Sequence, residues 1–328
     1  MMMTVRRTDG PRYGSVRGAG FGRAGVRGCR AGGGDGVSVE AGADSQVTDL
    51  TVNDHACLTF GDPEELSDLT AAFVRDGLAD GLKVVWLSDT GPQRAASELA
   101  RRGIAVRPAV AAGQMATAGC EGPLLSGQAF RAGPAVDWLD GQIAYCKQEG
   151  FPGLRLALDM SWALRPVTGV EELPDFEERI AAVAAGTPVS VLCQYDRDRF
   201  DPVTLASVAG FHTRSVAAAT YYADAISRIC RQYAPPGIRL AGEIDYNNAE
   251  PLALALAEAI RLDGDITVNM TGLAFIDGSC ARMILDAARG LGGTRMVVLQ
   301  CRPQTAARFV LLDAGKVPGV IVEDVGDA

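Results

Sequence analysis

The sequence predicts an α/β protein in two successive units, a larger parallel sheet covered by helices on both faces and a smaller α/β unit behind it. Three observations predict this. Short apolar runs alternate with amphipathic stretches of helical length from about residue 47 to 233, the pattern of parallel strands joined by crossover helices. Ala234-Pro235-Pro236-Gly237 then interrupts the chain, because paired prolines and a glycine end one element and begin an extended one. Beyond it, over residues 237–325, the same alternation restarts on a smaller scale.

Bulk properties agree with two soluble cores. The 328 residues exceed the roughly 100–200 typical of one domain. A hydrophobic content of 48% beside 22% charged residues supplies both cores without a membrane span, since no apolar run approaches the roughly 18–20 residues that a span requires. The net charge of −9 argues against direct nucleic-acid binding, which needs clustered Lys and Arg. The N-terminus has no apolar stretch of the secretory kind, so a cytoplasmic location is expected. Cys29, Cys57, Cys120, Cys146, Cys193, Cys230, Cys280 and Cys301 form no CxxC pair and no cluster with histidine. Reduced, buried thiols are expected, with no disulfide framework, no metal site and no cofactor.

Residues 1–46 hold Arg6, Arg7, Arg12, Arg17, Arg23, Arg27 and Arg30 among many glycines and too little apolar surface to repay ordering, so a disordered tail is expected. Its Gly18-Ala19-Gly20-Phe21-Gly22 lacks the strand and helix that a dinucleotide loop needs. Order is expected from Val47. Ala56 to Phe60 reads as a buried strand. Pro63, Glu64 and Glu65 suit a helix start, and Leu66, Leu69, Phe73 and Val74 continue it at helical spacing. Lys83–Leu87 is a strand, Pro92–Arg102 a helix and Ala135–Gln148 another. Leu154–Asp159 is a strand, Leu173–Ala185 a helix, Val189–Tyr195 a strand and Pro202–His212 a last helix before the aromatic, polar stretch Tyr221–Tyr233.

In the second unit Ile238–Ile244, Asp265–Met270, Thr294–Cys301 and Val320–Val322 read as strands. Helices are expected from Pro251, over Gly278–Leu291, and over Pro303–Ala314 with Gly315 as the cap. Asp277 is a good N-cap, and Ser279 falls in the first turn near unpaired backbone N–H groups. Helix capping alone accounts for both residues. A phosphate on Ser279 would add about −1.5 to −2 charges, which a helix N-terminus tolerates and a partner surface packed over the turn does not.

Gly242-Glu243-Ile244-Asp245 and Phe275-Ile276-Asp277-Gly278-Ser279-Cys280 carry a resemblance. The unit resembles the STAS domain of anti-sigma-factor antagonists, in which two such segments flank the partner-binding surface. The resemblance implies partner binding through Asp245, Asp277 and Ser279, with Ser279 at the phosphorylatable position. Gly278 stands where the family usually has Ser or Thr and Cys280 where it usually has Gly, which puts recognition by a kinase in doubt.

The first unit shows no catalytic constellation. Gly61-Asp62-Pro63-Glu64-Glu65-Leu66-Ser67 occupies the place of a phosphate loop but has no lysine, and its acids repel phosphate. His55 and Cys57 lie on one side of a strand because side chains alternate, which allows a shared pocket as well as ordinary strand packing, and two donors alone do not close a metal site. Asp54-His55-Ala56-Cys57-Leu58, Asp159-Met160-Ser161-Trp162-Ala163-Leu164 and Leu192-Cys193-Gln194-Tyr195-Asp196 resemble the MEDS sensory domain. That family is similar in layout to RecA/KaiC-type ATPases without the phosphate loop and has been proposed to sense small hydrocarbon-like molecules; the resemblance implies a sensory role and leaves the ligand open. A pocket bordered by His55, Cys57 and Trp162 is expected at the strand ends, although Trp162 and Met160 also suit a core cap.

The expectation is therefore a non-enzymatic signalling protein. Its sensory unit governs an antagonist domain that binds an anti-sigma factor or serine kinase of the partner-switching type, with unmodified Ser279 permitting docking and a phosphate there blocking it. Two rivals remain: a degenerate nucleotide-binding enzyme using Asp159 and Glu64 with a divalent metal, and a constitutive scaffold in a stress complex.

Overall fold

The computed structural model describes residues 45–326. The expected tail, apart from Ser45 and Gln46, lies outside the described residues, as does Cys29. Ser45 already pairs with the sheet, its N–H bonding to Ser215 O at 2.8 Å.

The first unit runs β1 (His55–Phe60), α1 (Pro63–Ala79), β2 (Lys83–Leu87), α2 (Pro92–Arg101), α3 (Val106–Ala111) and β3 (Met115–Ala118). A two-strand hairpin of β4 (Leu125–Ser126) and β5 (Ala129–Phe130) precedes α4 (Ala132–Gln148). Then come β6 (Leu154–Asp159), α5 (Leu173–Gly186), β7 (Val189–Asp196), α6 (Pro202–Ala209) and β8 (Arg214–Val216). The sheet order is β3-β2-β6-β7-β1-β8, and every pairing is parallel. Strand β6 is buried along its whole length and β7 over all but its last residue, which is why both read as unbroken apolar runs. Helices α4 and α5 cover one face, and α1 and α2 the other. Helix α1 starts as its sequence demands, with Pro63 in the first turn and the Asp62 side chain accepting from Glu65 N at 2.8 Å.

The second unit begins earlier than expected. Strands β9 (Thr220–Ala223) and β10 (Ser227–Tyr233) lead into β11 (Pro236–Ile244), α7 (Ala249–Leu262), β12 (Ile266–Ile276), α8 (Gly278–Gly290), β13 (Val297–Cys301), α9 (Pro303–Leu311) and β14 (Val320–Asp324). The order is β14-β13-β12-β11-β10-β9, with β9, β10 and β11 antiparallel and the rest parallel. The segment at 234–237 is thus no linker. Tyr233 pairs with Pro236, so Ala234 and Pro235 form a tight hairpin turn, where a residue without an N–H breaks no ladder bond. Tyr221–Tyr233 belongs to this second sheet. Helix α9 also stops early, at Leu311, because Asp313 takes a left-handed backbone (φ 61°) before a 3-10 turn at Ala314–Lys316.

One face of the second sheet packs α7, α8 and α9 over an apolar core. The other face carries buried Gln232, Arg239, Thr267 and Asn269, and the start of α1 satisfies much of it. Arg239 Nη1 lies 2.6 Å from Asp62 Oδ2, Asn269 Nδ2 is 3.0 Å from Glu64 Oε2, and the Arg228 guanidinium meets Glu65 at 3.2 and 3.3 Å. Asp68 accepts from the amides of Tyr233 and Ala234 at 2.9 and 2.7 Å. Asp62, Glu64, Glu65 and Asp68, at the start of α1, thus join the two units.

Candidate functional site

The first candidate site lies at the ends of β11 and β12. Ile244 and Ile276 are paired, so the residues that follow them emerge side by side. Asp277 N bonds to Ile244 O at 2.9 Å, and the buried Cys280 thiol donates to Asp245 O at 3.1 Å, stitching the two turns together. Cys280, unusual by the resemblance, therefore has a packing role here. Asp245 caps a 3-10 turn through Asn247 N at 2.8 Å. Asp277 caps α8, accepting from Cys280 N at 2.7 Å and from the Ser279 hydroxyl at 2.8 Å. Partial burial opposes ionisation of Asp277, but these donors outweigh it and hold the carboxyl below its usual range. Ser279 itself is exposed. Two aromatic side chains share this end of the unit, Tyr246 at 72% and Phe275 at 40% exposure, the latter under the Arg308 guanidinium. The arrangement offers an exposed hydroxyl at a helix N-terminus, held by Asp277 and stitched through Cys280 to the Asp245 turn.

The second candidate site is buried. His55 opens β1, Cys193 sits in β7, Glu177 projects from α5, and His212 follows α6. His55 Nε2 is 3.1 Å and His212 Nε2 3.4 Å from Glu177 Oε2, while Cys193 Sγ is 3.5 Å from both His55 Nε2 and Glu177 Oε2. The Tyr195 hydroxyl donates to the other carboxylate oxygen, Oε1. His55 Nδ1 bonds to Phe211 O at 3.1 Å and His212 Nδ1 to Val208 O at 2.8 Å. Burial alone would raise the Glu177 carboxyl, but His55, His212 and Tyr195 more than reverse it and hold it below its ordinary range. Burial drives the His212 imidazole down to about 4, against the pull of Glu177. Cys193 and Tyr195 are pushed well upward, first by burial and then by the Glu177 charge, and Cys57 rises to about 12 for the same two reasons.

His55, Cys57 and Trp162 are all buried, but their contacts differ. His55 belongs to the cluster above, and Cys57 sits beside it as the register partner of Cys193. Trp162 lies in a 3-10 turn beyond the opposite end of the sheet, its ring 4.4 Å from that of Phe130, itself 5.4 Å from Phe176. The contacts do not assemble the three into one pocket. Among the described residues Asp159 and Glu64 share no partner. Asp159 accepts from the amides of Asp89 and Ser161, at 2.9 and 3.0 Å, whereas Glu64 is engaged by Arg102 and Asn269. Glu65 turns back to accept from Gly61 N at 3.0 Å, so that loop amide already holds a carboxylate. Sequence reasoning missed Glu177, Cys193 and His212 as partners of His55. The available signal was Glu177 itself, an acid in register with Leu173, Ile180 and Ala184 on the apolar stripe of α5.

Comparison with known proteins divides the chain in the same way. Residues 54–213 match the family described as the MEthanogen/methylotroph, DcmR Sensory (MEDS) domain, and residues 228–323 match the family described as the Mlab, STAS domain. No curated protein matches the sequence. Among solved structures, a KaiC-like protein from the hyperthermophilic archaeon Pyrococcus horikoshii OT3 is similar over 56% of this chain and 79% of its own, at 11% identity and a TM-score of 0.41.

Proposed function

From a chain that carries a MEDS domain followed by a STAS domain, we propose a signalling protein that acts as an anti-sigma-factor antagonist by partner switching. The observation that carries this reading is the exposed Ser279 hydroxyl in the first turn of α8, tied to Asp277 and adjoining the Asp245 turn. In the unmodified state the two turns with Tyr246 and Phe275 form a docking surface for an anti-sigma factor. A serine kinase then adds a dianion at Ser279, beside Asp245 and Asp277, and charge and bulk release the partner. The protein works in the cytoplasm, where both partners reside.

The MEDS domain senses a small, largely apolar molecule, and the seam between α1 and the second sheet transmits the result. Support for an apolar guest comes from the aromatic group Phe130, Trp162 and Phe176 with Met160 at the strand ends. The domain hydrolyses no nucleotide, because the amide that would bind phosphate already holds Glu65. The test is affinity capture from the native extract with the full chain as bait. An anti-sigma factor or kinase retained by wild type and Ser279→Ala, but lost with Ser279→Asp, supports the reading. Retention indifferent to Ser279→Asp replaces it with the constitutive scaffold, and ATP turnover abolished by Asp159→Asn replaces it with the enzyme.

A further inference from the structure

The donors around Glu177 form a closed polyhedron. His55 Nε2, His212 Nε2, Cys193 Sγ and a Glu177 oxygen all lie within 4.8 Å of one another, and four of the six separations are 3.1, 3.4, 3.5 and 3.5 Å. A tetrahedral ion with metal–nitrogen or metal–oxygen bonds of about 2.0–2.1 Å and a metal–sulfur bond of about 2.3 Å has edges of about 3.3–3.6 Å. We propose that His55, Glu177, Cys193 and His212 are the four ligands of a buried divalent transition cation, and that zinc is the ion they fit best.

Hydrogen bonding around the cluster gives an independent argument. Both imidazoles direct Nδ1 at a backbone carbonyl, Phe211 O or Val208 O, and a carbonyl can only accept. Each ring therefore commits Nδ1 as a donor and turns Nε2 inward, the tautomer that outer carbonyls impose on metal-binding histidine. His212 Nε2 has no hydrogen-bond partner, although its side chain is fully buried and aimed at the cluster. Facing it across 3.4 Å is the equally buried Glu177 Oε2, and no hydrogen bond joins the two atoms. A cation between them gives both a partner. Tyr195 completes the outer arrangement by binding Glu177 Oε1, which leaves Oε2 as the single inward oxygen.

Charge balance points the same way. A dication with one thiolate, one carboxylate and two neutral imidazoles is electrically neutral as a unit, the condition under which ionised groups tolerate a site with no exposure. Binding displaces the Cys193 thiol proton to solvent and forms the metal–sulfur bond, with no change of oxidation state. A mixed set of nitrogen, sulfur and oxygen donors excludes magnesium and calcium, which take all-oxygen shells. Four protein donors leave no open position, so the ion pins β1, α5, β7 and the segment after α6 together and does not activate water. This assignment is independent of the partner-switching reading, since none of its residues lies near Ser279.

The test uses the full chain, produced in cobalt-supplemented medium and, separately, with zinc. Elemental analysis should find a single cobalt per chain, with the visible bands of tetrahedral Co(II) and a near-ultraviolet thiolate-to-cobalt charge-transfer band. Cys193→Ser should abolish the charge-transfer band, and His212→Gln should cut metal content by about tenfold or more. Should either variant fail to fold, X-ray absorption on the zinc-loaded wild type decides, with one sulfur at about 2.3 Å and the remaining first-shell scatterers nitrogen or oxygen. A wild-type chain that folds without metal and gains no cobalt spectrum overturns the proposal. So does a charge-transfer band that survives Cys193→Ser and disappears with Cys57→Ser, or a sulfur count other than one.

Discussion

Arg239, in the middle of the second sheet, meets Asp62 at the N-cap of α1, with Nη1 2.6 Å from Oδ2. The Arg239 side chain is 4% exposed and that of Asp62 33%, so the pair sits at the rim of a buried seam. Among the described residues only Arg228, 4.0 Å away, could compensate Asp62 if Arg239 were lost. Removing one partner of such a pair leaves a charge unpaired, which costs about 3–5 kcal/mol in a fully buried setting and less at a rim. Arg239→Met should therefore destabilise the chain by about 2–3 kcal/mol in denaturant unfolding. The double variant with Asp62→Asn should recover part of that loss, giving a coupling energy of about 1–2 kcal/mol. Strict additivity would show that the contact carries no energy between the units.

Asp68 makes the same seam sensitive to pH. It is fully buried, and burial lifts its carboxyl to about 6, although Arg102 and the amides of Ala234 and Tyr233 pull downward. A carboxyl raised from 3.8 in the unfolded chain binds its proton more tightly when folded. Its stabilising contribution is complete below pH 3.8 and is lost as pH rises through 6. Against the background of the other carboxylates, wild type should lose stability between pH 4 and 6 relative to Asp68→Asn, by a few kcal/mol at most, roughly. Equal slopes for the two proteins across this window would show that Asp68 titrates normally. Asp68→Ala, by contrast, should cost about 1–3 kcal/mol at every pH, because two buried amides lose their acceptor.

Legibility followed physical constraint. Strands β6 and β7, buried on both faces, announce themselves as apolar runs, and α1 carries its own start signal in Asp62, Pro63, Glu64 and Glu65. Strands β9 and β10 were illegible because Tyr221, Tyr222, Arg228 and Arg231 mix polar and aromatic groups, and their partner strand β11 lies across a proline turn that resembles a linker. The Asp277–Ser279 turn was readable because capping is local in sequence. The cluster around Glu177 was not, since His55, Glu177, Cys193 and His212 are spread along the chain and meet only through the order of β1 and β7 in the sheet.

Gly242 should prove irreplaceable for backbone reasons. Its φ is +78°, a left-handed conformation that disfavours side chains, and a Cβ there would lie 1.8 Å from Ile226 O. The register between β11 and β12 also shifts at this point, before Glu243 pairs with Phe275. Gly242→Ala should therefore cost about 2 kcal/mol or more through strain and a displaced β10–β11 ladder. Thermal unfolding checks the stability. Loss of amide protection at Ser227 and Glu243 in hydrogen exchange would locate the damage, and unchanged protection there would refute the account.

Capping and switching at the start of α8 can be separated because they use different atoms. The Asp277 carboxylate satisfies Cys280 N and the Ser279 hydroxyl, whereas Ser279 gives only one exposed hydrogen bond back to Asp277. Asp277→Ala should thus cost about 1 kcal/mol by removing the N-cap. Ser279→Ala should stay within about 0.5 kcal/mol of wild type, as expected for an exposed position. A charge at 279 meets two opposing influences, repulsion from Asp277 and attraction to the unpaired N–H groups of the first turn. Ser279→Asp should accordingly melt within a few degrees of wild type while losing its partner in the capture assay. A fall in stability comparable to that of Asp277→Ala would mean that the acidic variant disrupts the turn itself, and its loss of binding could no longer be assigned to charge at the docking surface.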